Sequence, residues 1–141
     1  MSGIDARAVI GLPDAKLDAL VEMMFLAASA DGEFSAVERA HFLGSVESLT
    51  SGRLTKATLE GMLERAERDL ASSSREARLS AVKDRLQDAG ARKVALSLAI
   101  QVTAADGIIR TSERELIFET ADVLEIDRDE AADLVRRLAP R

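Results

Sequence analysis

The chain has no cysteine, no tryptophan and no tyrosine, and it has one histidine and two prolines in 141 residues. Each shortage removes a class of chemistry. Without cysteine there is no disulfide, no thiolate zinc site and no thiol nucleophile. Without tryptophan or tyrosine there is no aromatic platform for bases or sugars, and the four phenylalanines are core candidates. One histidine, His41, cannot supply the two Glu-x-x-His pairs of a di-iron bundle, although Glu38 stands three residues before it. Positive charge is also short. Lys and Arg number 19 against 25 Asp and Glu, a formal net charge of −6 that argues against a broad nucleic-acid-binding face. No apolar run is long enough to span a bilayer, so no direct membrane insertion is expected. Met1 to Gly11 has no basic region followed by an apolar stretch, which sets the expectation of a cytoplasmic protein without a signal peptide.

What is present is helical periodicity. With 47% hydrophobic and 31% charged residues, the composition fits one globular domain with a full core. Residues 1–12 carry little periodicity and read as an N-terminal lead-in; residues 13–141 read as one helical domain. Pro13 suits the first position of a helix, and the run to Ala30 places Leu17, Leu20, Val21, Met24 and Ala28 on one stripe, widened by Phe25 and Leu26. Ser35 and Glu38 spell a capping box, and the helix behind them carries Val37, Phe42, Val46 and Leu49. A third helix over 54–71 turns Leu59, Met62, Leu63, Ala66 and Leu70 inward. Ser73 with Glu76 spells another box and opens a helix over 75–89, with Gly90 as its cap. Its basic residues Arg75, Arg78, Lys83 and Arg85 alternate with acids, as on a solvated face.

Residues 91–105 are apolar on most sides, which marks a central helix. Helices over 112–124 and 131–138 follow, the last after Asp127 and Glu130. No segment shows strand alternation. The reading is all-α: a single compact bundle of about seven helices built from two related helix-turn-helix halves.

The duplication lies in one turn. Ala30-Asp31-Gly32-Glu33-Phe34-Ser35 followed by Glu38 recurs as Ala105-Asp106-Gly107-Ile108-Ile109-Arg110 followed by Glu113, at an offset of 106 − 31 = 75. Phe25 and Ile100, Arg39 and Arg114, and Phe42 and Ile117 keep the same offset. Asp31 and Asp106 fall where helix carbonyls converge, and an exposed carboxylate there opposes the helix dipole by roughly 0.3–1 kcal/mol. Two accounts offset that cost. In one, the carboxylate accepts a nearby N–H in an Asx turn. In the other, carboxylate and carbonyls ligate a cation together. Glu38 completes a capping box, yet in the second copy Arg110 replaces Ser35 while Glu113 stays, with Thr111 one residue later, or Ser112 with Glu115, as alternative caps there. The spacing does not match an EF-hand, because the Glu arrives too early and alternating Asp residues are absent. One turn supplies Asp31, Glu38 and Glu33, and carbonyls and water would complete any shell. Ser72-Ser73-Ser74 reads as linker and cap rather than nucleophile, since no histidine stands near it. His41 reads as a partly buried helix residue, and Ala27-Ala28-Ser29-Ala30 as a tract for close helix packing.

The two turn segments, with Glu38 and Glu113, resemble the signature segments of the tellurite-resistance TerB family, and the resemblance runs from about Leu17 to Leu138. It implies an all-helical domain with two related halves and acidic residues clustered at Asp31, Glu38, Asp106 and Glu113. It also implies a stress-response role, including tellurite resistance, through protein assemblies and a divalent metal. The second copy departs from the pattern at Ile108 and Arg110. The expected function is a non-enzymatic module whose acidic turns (Asp31, Glu33, Glu38, Asp106, Glu113) bind a divalent cation or a basic protein partner. The alternative is a purely structural interaction domain whose acidic turns only cap helices. An enzyme is disfavoured, because no nucleophile–base pair is present.

Overall fold

The computed structural model describes residues 14–29, 34–50, 52, 54–103 and 111–138. Among them are seven α-helices and no strand: α1 (Asp14–Ala28), α2 (Ala36–Leu49), α3 (Lys56–Ala71), α4 (Arg75–Arg85), α5 (Ala89–Thr103), α6 (Thr111–Val123) and α7 (Arg128–Leu138). The all-α expectation holds. The lead-in over 1–12 and the central residues of both Asp-Gly turns lie outside the described residues.

Two helices organise the rest. From Ala19 to Ala27 every residue of α1 is buried, and α5 buries Ala91 and the run from Ala95 to Ile100. A helix apolar on all sides must be surrounded by other elements. Accordingly α1 and α5 pack on each other more extensively than any other pair, with buried alanines from both helices in their shared core. Around α1 lie α2, α3 and α4, whose Phe42, Val46, Leu59, Leu63, Leu79 and Val82 fill the larger core cluster. A second cluster forms on the other side of α5, where Leu96 and Ile100 meet Ile117, Ala121, Leu124, Ile126, Ala131 and Val135 of α6 and α7 and their connection.

The helix boundaries have local causes. Thr55 and Ser74 accept the N–H groups of Thr58 and Ala77, which caps α3 and α4. The second cap is therefore Ser74 and not Ser73, whose hydroxyl instead donates to the Asp69 carbonyl at 2.8 Å. Likewise α4 stops at Arg85, and Asp88 accepts the Ala91 N–H at 2.9 Å to start α5, so Gly90 lies inside a first turn rather than at a C-cap. Glu125 takes a left-handed φ of 61° after α6, and the Ile126 N–H reaches back to the Ala121 carbonyl at 2.8 Å. This is a Schellman closure with its usual apolar contact, since Ala121 and Ile126 share the second cluster.

Two further expectations, both on α2, fail. Val37 is 80% exposed. Five residues separate it from Phe42, about 140° around a helix, so it cannot share the stripe of Phe42 and Val46. His41 is exposed, on the same outward side of α2.

Candidate functional site

The helices that flank the two acidic turns keep one register. The bounds of α1 and α5 differ by 89 − 14 = 75 and 103 − 28 = 75, and the starts of α2 and α6 by 111 − 36 = 75. Asp31 and Asp106 are thus each the third residue after a buried helix, and Glu38 and Glu113 each the third residue of the next. Asp31, Glu33 and Asp106 lie outside the described residues; Glu38 and Glu113 lie within them.

At the first turn the capping box is formed. Glu38 Oε1 accepts the Ser35 N–H at 2.8 Å, and Ser35 Oγ accepts the Glu38 N–H at 3.1 Å. Glu38 is exposed, and Glu113 sits half-buried in the first turn of α6. Phe34 clasps the two helices: its ring stands edge-on to Phe25 at 5.5 Å and to Phe42 at 5.9 Å. Such T-shaped pairs add to the burial of the rings themselves and fix how the chain enters α2.

The end of α1 carries a counter-charge of its own. Arg75, at the start of α4, donates from Nη1 to the Leu26 carbonyl at 2.6 Å and from Nη2 to the Ser29 carbonyl at 2.9 Å. A guanidinium on the last carbonyls of a helix neutralises the negative end of its dipole. These carbonyls are therefore already engaged by a cationic side chain. Among the described residues no group of three or more His, Asp or Glu could hold a metal ion. Glu38 and Glu113 do not by themselves make a metal cage, and a cation at either turn would depend on Asp31, Glu33 and Asp106.

The basic residues of α4 do not form the solvated face that their sequence implies. Glu22, 5% exposed in the middle of α1, accepts Arg78 Nε at 2.6 Å and Nη2 at 2.9 Å, and also bonds to Arg85 Nη2. Arg85 reaches Asp18 at 3.1 Å, Asp18 pairs with Arg65 at 3.1 Å, and Arg78 lies 3.5 Å from Asp69. Three acids and three arginines thus tie α1, α3 and α4 together. Its hydrogen bonds to Glu22 hold Arg78 above its ordinary guanidinium value, opposed by the cost of burial. Sequence reasoning missed this network. The available signal was one carboxylate, Glu22, inside the run Ala19–Ala27, because a charge on a buried face requires a partner.

A separate groove runs beside α6 and the start of α7, lined by Arg114, Glu115, Phe118, Glu119, Asp122 and Arg128. Arg128 Nε and Nη2 donate to Asp122 Oδ1 at 3.2 Å and Oδ2 at 2.9 Å. The bond to Arg128 holds the Asp122 carboxyl below its ordinary value.

The helical architecture and the Asp-Gly segment repeated in the sequence point to one family. Residues 17–136 match the family described as tellurite resistance protein TerB, and the chain belongs to that family. Searches of curated proteins and of solved structures returned no match.

Proposed function

We propose that this TerB-family chain is a non-enzymatic module of a stress-response system, including tellurite resistance, that works through a protein assembly. In this reading its two acidic turns bind a divalent cation or a basic partner through Asp31, Glu33, Glu38, Asp106 and Glu113. The supporting observation is the shared register. Each Asp stands three residues beyond a central buried helix, and each Glu is the third residue of the helix that follows. In the second copy Arg110 stands where the first copy has Ser35, and Glu113 is nonetheless retained. The Arg75 guanidinium on the α1 carbonyls favours carboxylates, rather than those carbonyls, as the donors of the first turn.

A second reading rests on the closed Ser35–Glu38 box: the acidic turns cap helices, and the domain acts by its shape alone. An NMR titration of the chelator-treated protein with Ca²⁺, Mg²⁺, Mn²⁺ and Zn²⁺ separates the two. Saturable shifts of the Gly32 and Gly107 amides, lost in the Asp31→Asn, Asp106→Asn variant, support cation binding. Amides that stay fixed at millimolar metal leave the capping reading.

A further inference from the structure

Helix α4 is held differently from the other helices. Of its 11 residues only Leu79 and Val82 are buried. The equally short α7 also buries two, Ala131 and Val135, but Leu134 and Leu138 add to its core contact, and α4 has no such addition. Charge supplies the rest of its attachment. Arg75 grips the Leu26 and Ser29 carbonyls, Arg78 and Arg85 share Glu22, Arg85 also reaches Asp18, and Lys83 lies 3.4 Å from Glu125. Desolvation offsets much of the attraction within buried ion pairs, so such an interface holds an element more weakly than an apolar one of the same size. Few buried apolar contacts mark an element that opens ahead of the global transition.

The two ends of α4 are unequal. Ser72, Ser73 and Ser74 before it are all exposed. After it, Leu86 is fully buried, and its carbonyl accepts Arg92 Nε of α5. The N-terminal end of α4 is thus free to lift while Leu86 stays anchored.

We propose that α4 is a releasable clamp on α1, opening as a unit about Leu86 while the two central helices stay folded. Its opening uncovers Glu22, whose partners Arg78 and Arg85 both belong to α4, and takes the Arg75 guanidinium off the carbonyls at the end of α1. The clamp therefore sets how firmly the start of the first acidic turn is held, whether that turn binds a cation or only caps a helix.

The test is native-state hydrogen exchange of the full chain, followed by NMR in increasing sub-denaturing urea. The hydrogen-bonded amides of residues 78–85 should exchange at least about tenfold faster than those inside α1 and α5, with the smaller urea dependence of a sub-global opening. The Ser29 amide, bonded to the Phe25 carbonyl at 2.9 Å, should exchange with the α4 set and not with the interior of α1. Asp18→Asn, a half-exposed change that removes one of the acids of Arg85 and leaves the core intact, should speed exchange of the α4 set roughly three- to tenfold. Exchange of α4 with the same free energy and urea dependence as α1 and α5 would overturn the clamp. So would a Ser29 amide that stays with the α1 interior, or α4 exchange indifferent to Asp18→Asn.

Discussion

Replacing Glu22 by glutamine should be one of the most damaging single-atom changes in this protein. The side chain keeps its volume and loses its charge, and its new NH₂ faces guanidiniums that now lack their shared carboxylate. Removing one partner of a buried ion pair costs about 3–5 kcal/mol, because the remaining charge is left uncompensated. Here the arginines keep some relief. Arg78 and Arg85 side chains are 21% and 29% exposed, and they retain Asp69 and Asp18. The lower end applies, about 3 kcal/mol, which in a chain of this length lowers the thermal midpoint by roughly 10 °C. Urea unfolding at neutral pH measures the loss directly. Arg78→Met should cost less in the Glu22→Gln background than in the natural chain, with a coupling of about 1 kcal/mol or more. A Glu22→Gln loss below about 0.5 kcal/mol, additive with Arg78→Met, would refute the claim that this network ties α1 to α4.

Three further predictions concern the caps and the second core. Thr120 is 1% exposed and its hydroxyl has no hydrogen-bond partner among the described residues, so Thr120→Val should raise stability by about 1 kcal/mol in the same unfolding assay. Glu38→Gln opens the reciprocal box of α2 and should lower stability by about 0.5–1 kcal/mol, while Glu38→Ala should do at least as much damage. The Asp122 carboxyl is held low by Arg128, so its share of the stability is present at neutral pH and is lost as pH falls below the ordinary carboxylate value towards the lowered one. Carboxyl-detected NMR titration should show Asp122 returning to its ordinary value in Arg128→Gln.

The parts of the fold that were legible in the sequence are those that hydrophobic period alone decides. The buried stripe of α1 and the all-round apolarity of α5 predicted the two central helices, because nothing else in the chain could satisfy such surfaces. Capping residues placed α2 well, since Ser35 and Glu38 act within four residues of each other. Errors arose where neighbouring residues compete for one role or where distant partners decide. Three consecutive serines can each cap α4, and only the backbone shows Ser74 doing so while Ser73 turns back to α3. Arg75, Arg78 and Arg85 look solvated on their own helix, and their partners in and just after α1 lie 46 to 67 residues away. Of the candidate site, Glu38 is capped as its sequence implied and Glu113 opens α6, while Asp31, Glu33 and Asp106 lie outside the described residues.

The most direct test of the proposed function is the thermal midpoint in chelator against millimolar divalent cation, for the natural chain and for Asp31→Asn with Asp106→Asn. A ligand that binds only the folded state stabilises it by RT ln(1 + L/Kd), where L is the free ligand concentration, so the midpoint rises with L. Cation binding at the turns predicts a midpoint that rises with Ca²⁺ or another divalent ion in the natural chain and does not move in the variant. Coincident midpoints with and without every cation tested, or an equal rise in both proteins, would contradict it.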